Sequence, residues 1–93
     1  MNNYISLSSL ALDLRRVAQM YHRGSLTAAG KFLEQAESRR DEIDKQTLAP
    51  YIVAYLDKID NLRNLETDIA SESALLYSII FQNASLKLKQ TLL

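Results

Sequence analysis

Leu7-Ser8-Ser9-Leu10-Ala11-Leu12-Asp13-Leu14-Arg15-Arg16-Val17-Ala18-Gln19-Met20-Tyr21 is the stretch that decides the fold. Within it Leu7, Leu10, Leu14, Val17 and Tyr21 recur at alternating steps of three and four, which puts them on one face of an α-helix. Ser6 is placed to cap the start of that helix, with Ile5 and Leu10 as a hydrophobic staple. Gly24 suits the left-handed residue that ends it. The first helix is therefore expected over Leu7 to Arg23.

The same period continues along the chain. Ser25 is a candidate cap for a second helix whose inner face carries Leu26, Ala29, Leu33, Ala36 and Ile43, with Phe32 beside them. Thr47 is a candidate cap for a third, with Pro50 tolerated in its first turn and Leu48, Ile52, Tyr55, Ile59 and Leu62 on its buried face. Asn61, Asn64, Thr67 and Asp68 favour a break and a fourth helix starting near Ile69. The competing reading runs helices three and four together as one rod from Tyr51 to Leu93, which would imply an extended dimer. Beyond Gly24, Gly30 and Pro50 the chain has no strong helix breaker, whereas an all-β fold needs frequent turn residues. The expected fold is all-α: a small antiparallel helical bundle of about four helices, with residues 1–93 as one domain.

Composition narrows the function. Hydrophobic residues at 47% and charged residues at 24% are enough for a packed core and exclude a disordered chain. Eleven basic residues balance eleven acidic ones, so no overall field recruits nucleic acid or anionic lipid. Without cysteine and with one histidine, neither a disulfide framework nor a zinc site is expected, and no metal or cofactor is inferred. The first residues lack the basic region and apolar run of a secretory signal, and the apolar stretch around Leu75 to Phe81 is too short to cross a bilayer. A cytoplasmic location without membrane attachment is the expectation.

From Val17-Ala18 through Gly24-Ser25-Leu26-Thr27-Ala28-Ala29 to Leu33, the chain resembles the opening helix-turn of the LysR-type helix-turn-helix. In that family a similar phrase starts the helix that precedes the recognition helix. The match ends there: Glu34-Gln35-Ala36-Glu37-Ser38-Arg39-Arg40-Asp41-Glu42 stands where the recognition helix would be. That segment has more carboxylates than basic groups, and carboxylates repel phosphate. The resemblance supplies an alternative function, a nucleic-acid-binding regulator using residues 17–43 with Arg39 and Arg40 as phosphate contacts.

Motifs for catalysis are missing from the sequence: it has no nucleophile elbow, no glycine-rich phosphate loop and no metal-ligand spacing. An enzyme is not expected. His22 falls in the last turn of helix one, where its charged form interacts favourably with the helix dipole. Tyr21, Tyr51, Tyr55 and Tyr77 read as core-edge residues rather than as a ligand pocket.

The fourth helix does not fit one buried stripe. Leu75, Leu76, Tyr77, Ile79, Ile80 and Phe81 surround a single serine, so at least two of its faces are apolar. Leaving several such side chains in water would cost about 1.5 to 3 kcal/mol each relative to full burial. A subunit interface formed by Leu75, Leu76, Ile79, Ile80, Phe81, Asn83 and Leu86 answers this, with Asn83 setting register. The resulting expectation is a non-catalytic protein-protein interaction or regulatory module, a homodimer through its C-terminal helix, with an unknown protein partner also allowed.

Overall fold

The computed structural model describes residues 3–92. Met1, Asn2 and Leu93, at the ends of the stretch read as one domain, lie outside it, as does the side chain of Leu92. Four α-helices follow one another among the described residues: α1 (Asn3–His22), α2 (Leu26–Asp41), α3 (Pro50–Lys58) and α4 (Thr67–Leu92). Two short 3-10 segments, Lys45–Thr47 and Ile59–Asn64, flank α3. Together the helices form a small all-α bundle with a long axis of 40 Å, about the length of α4 at 1.5 Å rise per residue.

The core draws on every helix. Leu7, Leu10, Leu14 and Val17 of α1 meet Leu33 and Ala36 of α2, Ile52 and Leu56 of α3, and Phe81 of α4. The stripe that opened the sequence reading is buried as expected, with Tyr21 packed at its edge. Leu26 departs from expectation: it stands in the first turn of α2 and is exposed. Ile43 is buried, though it lies past the end of the helix.

The joints differ more than the stripes. Among the described residues α1 already runs from Asn3, so Ser6 sits inside it, buried, rather than capping it. The Asn3 amide ties this first described turn to the connection after α2. Its Nδ2 donates to the Asp44 carbonyl at 2.9 Å and to Thr47 Oγ1 at 2.8 Å, and its Oδ1 accepts from Asp44 N at 3.2 Å. Gly24 takes the left-handed conformation (φ 78°) that the α1–α2 joint requires. Thr47 closes a 3-10 turn capped by Asp44, while Ala49 precedes α3 and Pro50 occupies its first turn.

Helices three and four are separate. Two ion pairs fasten the 3-10 segment between them to α2: Arg40 Nη1 to Asp60 at 2.8 Å and Arg63 Nη2 to Glu37 at 2.6 Å. The Arg40 contact holds the Asp60 carboxyl below its ordinary range. Leu65 is extended and α4 starts at Thr67, two residues before the position the sequence suggests.

Candidate interaction surface

Helices α1 and α4 run antiparallel and pack closely, in the most extensive helix pairing among the described residues. Two serine hydroxyls fix their register. Ser71 Oγ donates to the Ala18 carbonyl at 2.9 Å, and Ser85 Oγ donates to the Tyr4 carbonyl at 2.7 Å. Tyr4, Ala11 and Ala18 are spaced by seven, as are Ser71, Ser78 and Ser85, so Ala11 falls level with Ser78. The side of α4 turned toward α1 is therefore lined by small residues, with Ala70, Ala74, Ser78 and Ser85 all buried. Small side chains let the two backbones approach closely, which is what brings a serine hydroxyl within reach of the neighbouring helix's carbonyls. Ser78 turns its hydroxyl back to Leu75 of its own helix, at 2.6 Å.

The large aliphatic residues of α4 point elsewhere. Leu75, Leu76, Ile79 and Leu86 are each 46–49% exposed, and Ile69 joins them on the outside. Ile5 and Leu12 are the exposed large aliphatics of α1. Leu12 and Gln82 line one shallow cavity over the α1–α4 seam, while Gln19, His22, Glu72 and Leu75 line its neighbour, with Arg15 shared between the two. Asn83 is exposed within the strip.

Two residues of the expected interface are less exposed than the rest. Phe81 is fully buried in the core, and Ile80 is half-buried and packed against it. Helical phase accounts for Phe81: it follows Ala74 by one heptad and shares the buried side of α4, whereas Ile80 stands one turn from Leu76 at the edge of the strip. The exposed strip thus keeps Leu75, Leu76, Ile79, Asn83 and Leu86 of the residues expected there and adds Ile69, Ile5 and Leu12. The signal for this phase was present as two heptad series, Ser71/Ser78/Ser85 and Ala74/Phe81/Leu88. Hydrophobicity gives the first series no weight.

The arginines of the alternative reading are engaged within the fold. Arg40 holds Asp41 and Asp60, and its side chain is only 13% exposed. Arg39 lies 3.7 Å from Asp13 and 3.9 Å from Glu42. At 3.7 Å the Asp13–Arg39 contact is an ion pair without a hydrogen bond. Burial raises the Asp13 carboxyl above its ordinary range, and the positive charges of Arg39 and Arg16 offset only part of that. The tyrosines make structural contacts: the Tyr55 and Tyr77 rings pack 5.4 Å apart, Lys58 lies over Tyr55, and Tyr51 is exposed. Burial raises the Tyr77 hydroxyl above its ordinary value.

No group of metal-ligating side chains occurs among the described residues, and none of their helices is long and apolar enough to cross a membrane. The chain matches no family model, no curated protein and no solved structure.

Proposed function

We propose that this protein is a non-catalytic interaction module that works by self-association through the outer face of α4, flanked by Ile5 and Leu12 of α1. The observation that carries this is the placement of its exposed aliphatics. Five of the large apolar residues left in water, Ile69, Leu75, Leu76, Ile79 and Leu86, belong to one helix, and two more flank it on α1. Scattered singly, exposed leucines need no explanation; gathered on one face they mark a contact surface.

Magnitudes support a dimer of moderate affinity. Covering the remaining half of seven such side chains on each of the two copies yields a gross gain on the order of 10 to 20 kcal/mol. The loss of translational and rotational freedom on association offsets much of it, which places the dissociation constant roughly in the micromolar range.

Sedimentation velocity across a dilution series is the test. The protein should pass from dimer to monomer as it is diluted through low micromolar concentrations. Leu76→Glu with Ile79→Glu should leave a folded monomer throughout, because both side chains point outward. Ile80 is the wrong position to change, since it packs on the core and its loss would damage the fold itself. A folded wild-type protein that stays monomeric up to about 100 μM, well above the expected range, would sink the proposal. So would an assembly untouched by the double substitution.

A further inference from the structure

We infer that the occupant of this surface is a second copy of the chain whose α4 lies antiparallel to the first; this rests on the self-association reading above. The outer face of α4 follows a coiled-coil repeat. Ile69, Glu72, Leu76, Ile79, Asn83 and Leu86 recur at alternating steps of three and four, and the apolar members among them are exposed. A second helix can seat along that seam.

Charge decides its direction. Residues 73–86 carry no ionisable acid or base other than Tyr77, whereas Asp68 and Glu72 stand before them and Lys87 and Lys89 after. All four are exposed, and none is in a salt bridge among the described residues. The helix dipole accounts for an acid in the first turn and a base in the last, but Glu72 lies beyond the first turn. Arg15 shares a cavity wall with Glu72 without forming an ion pair to it.

A parallel copy would set Glu72 against Glu72 and the lysines against lysines. Turned end for end about an axis level with residue 81, the second copy instead brings its Lys89 near Glu72 at both ends. The same rotation sets Leu76 against Leu86 and Ile79 against Asn83 of the second copy, the mixed layers of an antiparallel seam. Opposite charges at the ends of an uncharged apolar strip select orientation as well as partner.

The chain has no cysteine, so a single introduced thiol reports without interference. Leu76→Cys and Leu86→Cys stand about 15 Å apart along the helix, too far for a disulfide. Under mild oxidation the antiparallel dimer should cross-link only when the two variants are mixed, as a heterodimer resolved by mass. Cross-linking of either variant with itself would overturn the inference in favour of a parallel pair, in which Asn83 meets its own copy. A dimeric protein that gives no cross-link in any combination would also overturn it. A wild-type protein that is monomeric by sedimentation would instead remove the self-association reading itself, so the two failures are distinguishable.

A charge cycle covers the case in which the thiol variants dissociate. Glu72→Lys and Lys89→Glu should each weaken the dimer by up to about tenfold at low salt, and the double exchange should restore it. Like charges remain like in a parallel pair under either single change, so two single variants with wild-type affinity would contradict the antiparallel arrangement.

Discussion

Along α4, the side turned toward α1 carries Ser71, Ala74, Ser78 and Ser85, whereas the side in water carries Ile69, Leu75, Leu76, Ile79 and Leu86. A hydrophobicity scale alone would assign these two faces the other way round. What decides is the distance at which two helices can meet: small side chains allow close contact along the whole seam, gaining many dispersion contacts and cross-helix hydrogen bonds. A row of leucines would hold the axes apart. Along this seam burial therefore follows size complementarity between α1 and α4, and the larger aliphatics of the outer face of α4 are left available for another surface.

Substitutions on the two faces should differ in kind, and a graded set can break the distinction or sharpen it. Phe81→Ala should have the largest effect, about 3 to 5 kcal/mol lost in urea unfolding, because it empties a fully buried site. A small loss would mean that Phe81 faces outward after all. Ser78→Leu comes next, at about 1 to 3 kcal/mol, since an added side chain must force α1 and α4 apart. An unchanged or raised urea midpoint would refute the close seam. Ser85→Ala removes one hydroxyl donor to the Tyr4 carbonyl and should cost about 1 kcal/mol. The smallest effect belongs to the outer face: Ile79→Ser, measured at a concentration where the protein is monomeric, should shift stability by no more than about 0.5 kcal/mol. A loss comparable to that of Ser78→Leu would place Ile79 in the core.

Acid titration of stability offers one further check, away from α4. Asp13 has its carboxyl raised in the folded state, so its folded form binds the proton more readily than its unfolded form. The folded state thus gains stability from this group as pH falls through the raised value toward the ordinary aspartate range. Asp60 has the opposite shift, and its contribution is lost only as pH falls below that range. Asp13→Asn should therefore flatten the mildly acidic limb of a stability–pH profile, while Asp60→Asn should alter only its most acidic part. Equal profiles for Asp13→Asn and the wild type would show that the buried carboxylate is not perturbed.

The helical nature of the chain and the inner stripe of α1 were legible because Leu7, Leu10, Leu14 and Val17 are both periodic and greasy, so pattern and burial coincide. The third stripe, with Ile52, Ile59 and Leu62, was readable for the same reason. Joints were less so. Ser6 and Thr47 look like caps, but Asn3 anchors α1 a turn earlier through the Asp44–Thr47 connection, a contact between residues more than forty positions apart. The break before α4 could be sensed from Asn61 and Asn64, while its cause, the clamps from Arg40 and Arg63, is again non-local. The outer strip was half visible. An excess of apolar residues announced that something must cover α4, but the phase that sends Phe81 inward and Leu76 outward depends on the serines reaching the carbonyls of α1.

The hydrogen bond between Ser85 and Tyr4 joins residues 81 positions apart. The principal helix pair thus links the earliest and latest described segments of the chain, giving a high contact order for an all-helical protein. Residues of α1 have no seat against α4 until that helix has been synthesised, so a nascent chain lacking it keeps the flank of α1 around Ala11 and Ala18 wet. Folding should accordingly be slower than in bundles built from neighbouring hairpins, and it should complete only once the last helix docks.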